Sequence, residues 1–423
     1  MFNWGFRATL KVHQADSKEV LLTKKDGSKE SYYNFVKNLD VLDTSKKLWL
    51  HPLLFNGALQ TMYYAGAGQT SFHVFYGREI FNYSDGGICS LDWVIPPEDK
   101  EEFKAKYEEA QPTGWPKLHP RTRFLTKEEL SVLQKHGQDR NSTKPICVVV
   151  HGLGGGSHEA LIRNLAENLT TGRNENHWDV VVILSRGCGR TKITSGKSFN
   201  LFSTDDIREV LLELKERYPT RPIFAAGFSF GAALLVNFLA KEADHNERLI
   251  EAAAIIGCPW DMVDSADHLD SSLSGKYVFS PAVILFMVKV LTNNYTELHE
   301  HMPEIFNPET LAKVKDIKTS MDFADFYTCH EAGFKTGHDY YVAGSPIVNM
   351  HKVNVPLLAL NATDDPTVGI KLPFEKVLEN PHISMVESDL GGHLGFVQRD
   401  YKFWGVELFE QFFDKYCETF QFN

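Results

Sequence analysis

From Pro145 onward, the chain alternates continuous apolar segments with amphipathic ones, and few folds accommodate this alternation. Short runs of Val, Ile, Leu, Ala and Cys are typical of parallel strands that are buried on both faces. The segments between these runs repeat apolar residues with the helical period. The expected strands are residues 146–150, 180–184, 223–226, 252–256 and 357–361. The sequence therefore predicts an α/β fold in which helices cover both faces of a mostly parallel, doubly wound sheet.

The strand pattern stops for about 90 residues and then resumes, which suggests an insertion into the fold. Such a segment is too long for a simple crossover between two strands of one sheet. We therefore predict that residues 143–260 and 351–423 form one core, and that residues 261–350 form a helical cap at the carboxyl edge of its sheet. Residues 1–142 are expected to form an amino-terminal extension that contains an antiparallel hairpin.

Charge and cysteine usage narrow the possible partners and cofactors. Lys and Arg number 44 against 55 Asp and Glu, so the net charge of −11 disfavours binding to a nucleic-acid backbone. The six cysteines lack the spacing of a zinc site. The first residues lack the continuous apolar segment of a secretory signal. We expect an intracellular, reduced protein that needs no metal, no cofactor and no obligate protein partner.

A candidate nucleophile lies where a predicted strand meets the next helix, in Gly227-Phe-Ser-Phe-Gly231. Small residues two positions before and after Ser229 give the clearance that a sharp strand-to-helix turn requires. The amino end of the following helix favours negative charge, so an oxyanion would be stabilised there. We expect the backbone N–H groups of Phe230 and Leu153 to form the oxyanion hole; Leu153 belongs to the glycine-rich loop 151–156.

A serine hydroxyl becomes a good nucleophile only when a general base and an orienting acid accompany it. His393 lies between glycines in a loop ahead of the last predicted helix, so it is the expected base. Two adjacent carboxyl groups, Asp364 and Asp365, follow the last expected strand of the core. The order Asp-Pro-Thr-Val favours Asp365 as the acid, and Asp364 is the alternative.

Several motifs resemble those of one group of α/β-hydrolases, which holds the bacterial YheT-like hydrolases and the fungal medium-chain fatty acid ethyl ester synthases/esterases. They are Asn56-Gly-Ala-Leu-Gln-Thr61, His151-Gly-Leu, Gly155-Gly-Ser-His-Glu159, Ser185-Arg-Gly-Cys-Gly189, Gly227 to Gly231, Cys258-Pro-Trp-Asp261, Asp364-Asp-Pro366 and Gly391-Gly-His-Leu394. Ala58 differs from the group, which usually has a histidine there. The resemblance implies an α/β-hydrolase fold and a triad of Ser229, Asp365 and His393.

The resemblance also implies a reaction class. Members of the fungal group are implied to cleave medium-chain acyl esters and to transfer acyl groups from acyl-CoA to ethanol through an acyl-serine intermediate. We therefore expect a carboxylic ester hydrolase that has alcohol acyltransferase activity, with an acyl ester or acyl-CoA and an alcohol as its small-molecule partners. One alternative is a monoacylglycerol lipase. The other is a hydrolase-fold protein that binds ligands without catalysis.

Two further segments bear on substrate and location. The apolar run 278–291 contains Pro281 and Lys289 and is too short to span a bilayer, so no transmembrane helix is predicted. This run would line an acyl tunnel, contact a membrane or pack as a buried cap helix; the resemblance suggests a lipid droplet or the mitochondrial outer surface, and otherwise the cytoplasm. Three basic residues follow the second core strand, and they would meet the phosphates of acyl-CoA or brace loops: Arg186, Arg190 and Lys192.

Overall fold

The computed structural model describes residues 5–15, 19–67, 72–136, 142–171, 178–245, 248–369 and 371–422. Within them the chain forms the strands β1 (Arg7–Ala8), β2 (Leu10–His13), β3 (Leu21–Thr23), β4 (Lys29–Ser31), β5 (Leu48–Trp49), β6 (Phe75–Asn82), β7 (Ile88–Ile95), β8 (Thr122–Phe124), β9 (Ile146–Val150), β10 (Asp179–Leu184), β11 (Ile223–Phe228), β12 (Ala252–Ile256), β13 (Leu357–Ala362) and β14 (Ile383–Ser388).

The α-helices of the same residues are α1 (Tyr32–Lys37), α2 (Gly57–Gly66), α3 (Lys100–Ala110), α4 (Lys127–His136), α5 (Ala160–Thr171), α6 (Thr204–Arg217), α7 (Phe230–Glu242), α8 (Met262–Ser271), α9 (Ser280–Asn293), α10 (Tyr295–His301), α11 (Pro308–Ala312), α12 (Ser320–Phe323), α13 (Cys329–Glu331), α14 (Gly337–Gly344), α15 (Pro346–Asn349), α16 (Phe374–Glu379) and α17 (Trp404–Thr419). Short 3₁₀ helices are Asp40–Leu42, Lys313–Asp316 and Met350–Lys352, and π-helical turns are Gly275–Phe279 and Ala324–Thr328.

A ten-stranded sheet in the order β2-β14-β13-β12-β11-β9-β10-β7-β6-β8 organises the fold. The strands from β14 to β10 in this order are parallel. Helices α5 and α17 contribute to the apolar core on one face, and α6 and α7 to the core on the other. The predicted α/β fold with a mostly parallel, doubly wound sheet is therefore confirmed, and the expected core strands lie in β9 to β13.

Antiparallel strands from the first part of the chain extend this sheet at both edges. Strand β2 pairs with β14 at one edge, and the predicted hairpin, β6 and β7, pairs with β10 at the other. The guanidinium group of Arg78 donates to both carboxylate oxygens of Asp92 inside the hairpin, at 2.7 and 2.9 Å. The Ser157 hydroxyl donates to the same carboxylate at 2.5 Å. Since all three side chains are buried, this network joins the hairpin to the loop after β9.

The described residues between β12 and β13 form only helical elements. The π-helical turn Gly275–Phe279 runs into α9, so the helical segment is longer than the predicted apolar run. By length and composition alone, Gly275–Asn293 could cross a membrane, although only 28% of its most apolar stretch is buried. The same composition is common in helices of water-soluble domains, so this is weak evidence for a membrane span. The division of the chain into extension, core and cap stays a prediction.

Candidate active site

Ser229 lies in a strained turn between β11 and α7, with φ of 52° and ψ of −120°. A side chain at Gly231 would place its Cβ 2.3 Å from the carbonyl oxygen of His151, and one at Gly227 would place its Cβ 2.9 Å from the Cα of Ala232. A larger residue at Gly227 would therefore clash with the backbone of α7, and one at Gly231 with the backbone at the end of β9. This explains why the sequence has glycine on both sides of Ser229.

The structure brings His393 and Asp365 together with Ser229, although 164 residues separate Ser229 from His393. The Nε2 atom of His393 lies 2.7 Å from the Oγ atom of Ser229. On the other side of the ring, Nδ1 lies 2.8 Å from an oxygen of Asp365. These distances fit a hydroxyl that donates to Nε2 and an Nδ1–H group that donates to the carboxylate.

Asp365 is held as a buried carboxylate, since its side chain is 1% exposed. The oxygen that faces away from His393 accepts hydrogen bonds from the backbone N–H groups of Thr367 and Val368, at 2.8 and 3.1 Å. Burial raises the pKa of Asp365, but the charge and hydrogen bond of His393 and these two N–H groups lower it more, so the net pKa lies below its ordinary value of 3.8. Asp365 therefore stays ionised at neutral pH.

Asp364, the alternative acid, contacts the His393 loop but not the imidazole ring in the structure. Its Oδ1 atom accepts hydrogen bonds from the backbone N–H groups of Gly391 and Gly392, at 3.0 and 2.9 Å. Its buried Oδ2 atom has no hydrogen-bond partner among the described residues. Burial raises the pKa of Asp364 to about 7. The two adjacent carboxyl groups thus differ in environment. Asp365 contacts the ring of His393, whereas Asp364 contacts the backbone of the two residues before His393.

The two expected oxyanion-hole residues, Leu153 and Phe230, both line the cavity that contains Ser229 and His393. Within the described part of the chain, neither backbone N–H group donates to a carbonyl oxygen, so both can bind a ligand. His151 supports the loop of Leu153, because its ring contacts the carbonyl oxygen of Gly152 at 2.7 Å and accepts from the N–H group of Ser185 at 3.2 Å. Burial lowers the pKa of His151 to about 4, so the ring is neutral.

A second, apolar cavity adjoins the one that contains Ser229 and His393, and its volume is about 720 Å³ when the solvent-open space at its mouth is included. The two cavities share four lining residues, which are Leu153, Phe230, Met287 and Tyr341. Side chains of α9, of α10 and the loop after it, and of α12 supply much of the remaining wall: Val290, Leu291, Leu298, Phe306 and Phe323. We call this second cavity the apolar chamber. It can hold a hydrocarbon chain next to Ser229.

The three basic residues after β10, which are Arg186, Arg190 and Lys192, are not all accessible to a ligand. The guanidinium group of Arg186 is buried and donates to both oxygens of Asp206, at 2.7 and 2.9 Å, and its ion pair with Asp85 is 3.0 Å long. Lys192 lies over the ring of Trp115. Arg186 therefore braces loops, and its charge is already neutralised by carboxylates.

The sequence gives no chemical role to Gln60 and Thr61, yet both contact the His393 loop. The Thr61 hydroxyl accepts a hydrogen bond from the backbone N–H group of His393, and the Gln60 amide oxygen accepts one from that of Val397. The motif at residues 56–61 was the available signal, but it does not reveal what its side chains contact.

Among the described residues, no group of three or more His, Cys, Asp or Glu side chains is arranged to hold a metal ion.

The chain is similar to known proteins both in a family model and in overall sequence. A family model described as alpha/beta hydrolase fold matches residues 145–272. The chain is 36% identical to medium-chain fatty acid ethyl ester synthase/esterase 2 of Saccharomyces cerevisiae, over 99% of this chain and 97% of that protein. It is 31% identical to a monoacylglycerol lipase of the same yeast, over 85% of this chain and 78% of that one. An esterase of Pyrococcus furiosus, 13% identical, aligns with a TM-score of 0.45 over 81% of this chain and 91% of its own.

Proposed function

Because the chain belongs to the α/β-hydrolase family, within the group of medium-chain fatty acid ethyl ester synthase/esterases, we propose that it is an esterase that works through an acyl-serine intermediate. Its substrates are medium-chain acyl esters, and an alcohol such as ethanol competes with water as the acyl acceptor. The observation that carries the proposal is the chain of two hydrogen bonds from Ser229 through His393 to Asp365, at 2.7 and 2.8 Å.

In the first half of the reaction, the Oγ atom of Ser229 attacks the acyl carbonyl carbon while Nε2 of His393 takes the hydroxyl proton. The carboxylate of Asp365 stabilises the imidazolium ion that forms. The oxyanion of the tetrahedral intermediate accepts hydrogen bonds from the N–H groups of Leu153 and Phe230. When the carbon–oxygen bond to the leaving group breaks, His393 returns the proton to the leaving alkoxide, or to the thiolate when the donor is acyl-CoA.

In the second half, His393 takes a proton from water or from an alcohol, whose oxygen attacks the acyl-serine carbonyl carbon. Collapse of the second tetrahedral intermediate breaks the bond to Ser229, and His393 gives the proton back to the serine oxygen. Water yields the free acid, and ethanol yields the ethyl ester. Both outcomes use the same residues, so the acceptor that reaches the intermediate decides between them.

The apolar chamber supports a hydrocarbon acyl group as the substrate. It opens next to Leu153 and Phe230, which flank Ser229, and its walls are mainly aliphatic and aromatic. A methylene group that moves from water into such a cavity contributes about 0.8 kcal/mol. The length of acyl chain that the chamber holds therefore sets which esters react fastest.

A substitution in the chamber wall should change the preferred acyl length. Leu298 is buried in this wall, so Leu298→Phe is expected to shorten the chamber. Each methylene that no longer fits should lower kcat/KM about fourfold, and esters of short acids should react as before. The measurement is kcat/KM for p-nitrophenyl esters from butanoate to dodecanoate. Leu378→Phe is the matched control, because Leu378 is 49% exposed on helix α16 and lines neither cavity. Equal profiles for both variants would contradict an acyl chain in the chamber.

The balance between hydrolysis and alcoholysis tests the proposed reaction. Purified protein is supplied with octanoyl-CoA or p-nitrophenyl octanoate, with and without ethanol, and free octanoate and ethyl octanoate are quantified. We expect octanoate alone without ethanol, and ethyl octanoate at the expense of octanoate when ethanol is present. If octanoate is the only product under both conditions, the proposed transferase activity is contradicted. If neither donor gives a product, the proposed esterase activity is contradicted.

The similarity to a monoacylglycerol lipase of yeast, at 31% identity, supports a second candidate function. Its leaving group would be glycerol, and the mechanism would be unchanged. Monooctanoylglycerol added to the same assay separates the two candidates. A higher kcat/KM for this compound than for ethyl octanoate would favour the lipase.

The outer face of the segment before and within α9 supports a peripheral contact with lipid. Large apolar residues along this face are exposed, namely Leu273, Tyr277, Leu285 and Phe286. The only charged residues of the stretch 273–293 are Lys276 and Lys289, in a chain with a net charge of −11. We propose that the protein is intracellular and touches a lipid-droplet or mitochondrial outer membrane surface through this face.

A further inference from the structure

Helix α2 carries two buried polar side chains that belong to the motif at residues 56–61. The side chain of Asn56 caps the helix by accepting a hydrogen bond from the N–H group of Leu59. Gln60 and Thr61 lie on the buried face, at 0% and 4% exposure. A buried polar group is costly unless it is hydrogen-bonded, so the partners of these two residues indicate what the motif does.

Each of the two side chains has one partner in the His393 loop and a second partner near α2. The Thr61 hydroxyl accepts a hydrogen bond from the backbone N–H group of His393 at 2.8 Å and donates one to the carbonyl oxygen of Gly57 at 2.7 Å. The amide oxygen of Gln60 accepts from the N–H group of Val397 at 2.7 Å, and its nitrogen donates to the carbonyl oxygen of Leu54 at 2.8 Å. The helix is thus bonded to the histidine itself and to the end of its loop.

The first turn of α2 also packs tightly between the His393 loop and the residue before Asp365. A Cβ atom at Gly57 would lie 1.9 Å from the carbonyl oxygen of Asp364, and one at Gly392 would lie 2.2 Å from the carbonyl oxygen of Gly57. No larger side chain fits at either contact without moving backbone. The helix therefore fixes the distance between the two loops that carry the acid and the base.

The His393 loop needs such support because its own backbone is strained. Gly392, Leu394 and Phe396 all have φ in the left-handed region, at 60°, 61° and 47°. Left-handed conformations of Leu and Phe cost free energy and persist only where the surroundings enforce them. The hydrogen bonds from α2 help to hold the loop in this conformation, and one of them binds the backbone N–H group of His393 itself.

We propose that the motif at residues 56–61 is a positioning device for His393, in which Thr61 and Gln60 hold the imidazole in line between Ser229 and Asp365. This inference rests on the proposed function, because it assigns a role within the same catalytic site. Thr61 and Gln60 act through His393 and do not touch the substrate. Ala58, which differs from the group's usual histidine, is not part of these contacts.

Thr61→Val tests the proposal, because it keeps the side-chain shape and removes the acceptor for the His393 N–H group. A small displacement of a catalytic group can cost about 100-fold in rate, so we expect kcat for p-nitrophenyl octanoate to fall about 10- to 100-fold with KM unchanged. Thr61→Ser keeps the hydroxyl and should restore most of kcat. Thr191→Val is the matched control: Thr191 is buried and donates to the Ser90 hydroxyl, away from the three catalytic side chains.

Thermal unfolding is measured for all variants, so that kcat is compared at temperatures where each is folded. A Thr61→Val protein with wild-type kcat, or a Thr61→Ser protein as slow as Thr61→Val, would overturn the proposal. If Thr61→Val does not fold, Gln60→Met is assayed in the same way and should show the same loss of kcat at constant KM; wild-type kcat in that variant would overturn the proposal. Ser229→Ala is included, because retained activity there would contradict the proposed mechanism and not the role of α2.

Discussion

Ser229→Ala is expected to lower kcat for p-nitrophenyl octanoate by roughly 10⁵- to 10⁶-fold, the range seen when the nucleophile of a serine triad is removed. The acyl-serine intermediate cannot form without the Oγ atom, and only the oxyanion donors remain to accelerate direct attack by water. Because Ser229→Ala removes only the hydroxyl oxygen and leaves the packing of the fold unchanged, the thermal unfolding midpoint should stay near that of the wild type. Steady-state kinetics and a thermal unfolding scan check both statements.

Covalent labelling with a fluorophosphonate gives an independent readout of the same variant. The wild type should gain one label on Ser229, located by peptide mass spectrometry, and Ser229→Ala should gain none. Ser84→Ala, on the turn between β6 and β7, is the control and should be labelled like the wild type. Equal labelling of Ser229→Ala and the wild type would favour the alternative of a hydrolase-fold protein that binds without this chemistry.

Those parts of the fold that depend on local pattern could be predicted from the sequence. Strands β9 to β13 are buried on both faces, and their apolar runs make them visible without knowledge of their neighbours. The edge strand β2 is not visible in the sequence, because it has only four residues and it pairs with β14, hundreds of residues away. The hairpin of β6 and β7 was predicted, but its place in the central sheet depends on pairing with β10, which no local pattern encodes.

The candidate site shows the same limit. Ser229 is recognisable because both glycines of its motif lie within two residues of it, although the contact that requires Gly231 is with His151, far away in the sequence. The choice between Asp364 and Asp365 depends on which carboxyl group faces the His393 ring, and the sequence order could only favour one. The contacts of Thr61 with the backbone of His393 span 332 residues, so a motif can be noticed in the sequence without its role being visible.

The neighbouring carboxyl groups allow a sharp test of the acid in the triad. Asp365→Asn is expected to lower kcat about 10⁴-fold, because a neutral amide neither stabilises the imidazolium ion nor holds the ring in the tautomer that accepts the Ser229 proton. Asp364→Asn keeps an oxygen acceptor for the N–H groups of Gly391 and Gly392. Its loss of kcat should therefore be at least about 100-fold smaller than that of Asp365→Asn.

The pH dependence of the two variants separates their roles further. The pKa of Asp365 lies below 3.8, so its carboxylate is ionised at every pH where a histidine can act as a base, and the defect of Asp365→Asn should persist from about pH 6 to 9. Burial raises the pKa of Asp364 from 3.8 to about 7, so between these pH values the folded state keeps a proton that the unfolded chain has lost, and the wild type loses folding free energy until the pH reaches about 7. Asp364→Asn should remove that loss, which is measured by urea unfolding at about pH 5 and pH 8. A larger defect in kcat for Asp364→Asn than for Asp365→Asn would assign the acid to Asp364 and contradict the triad.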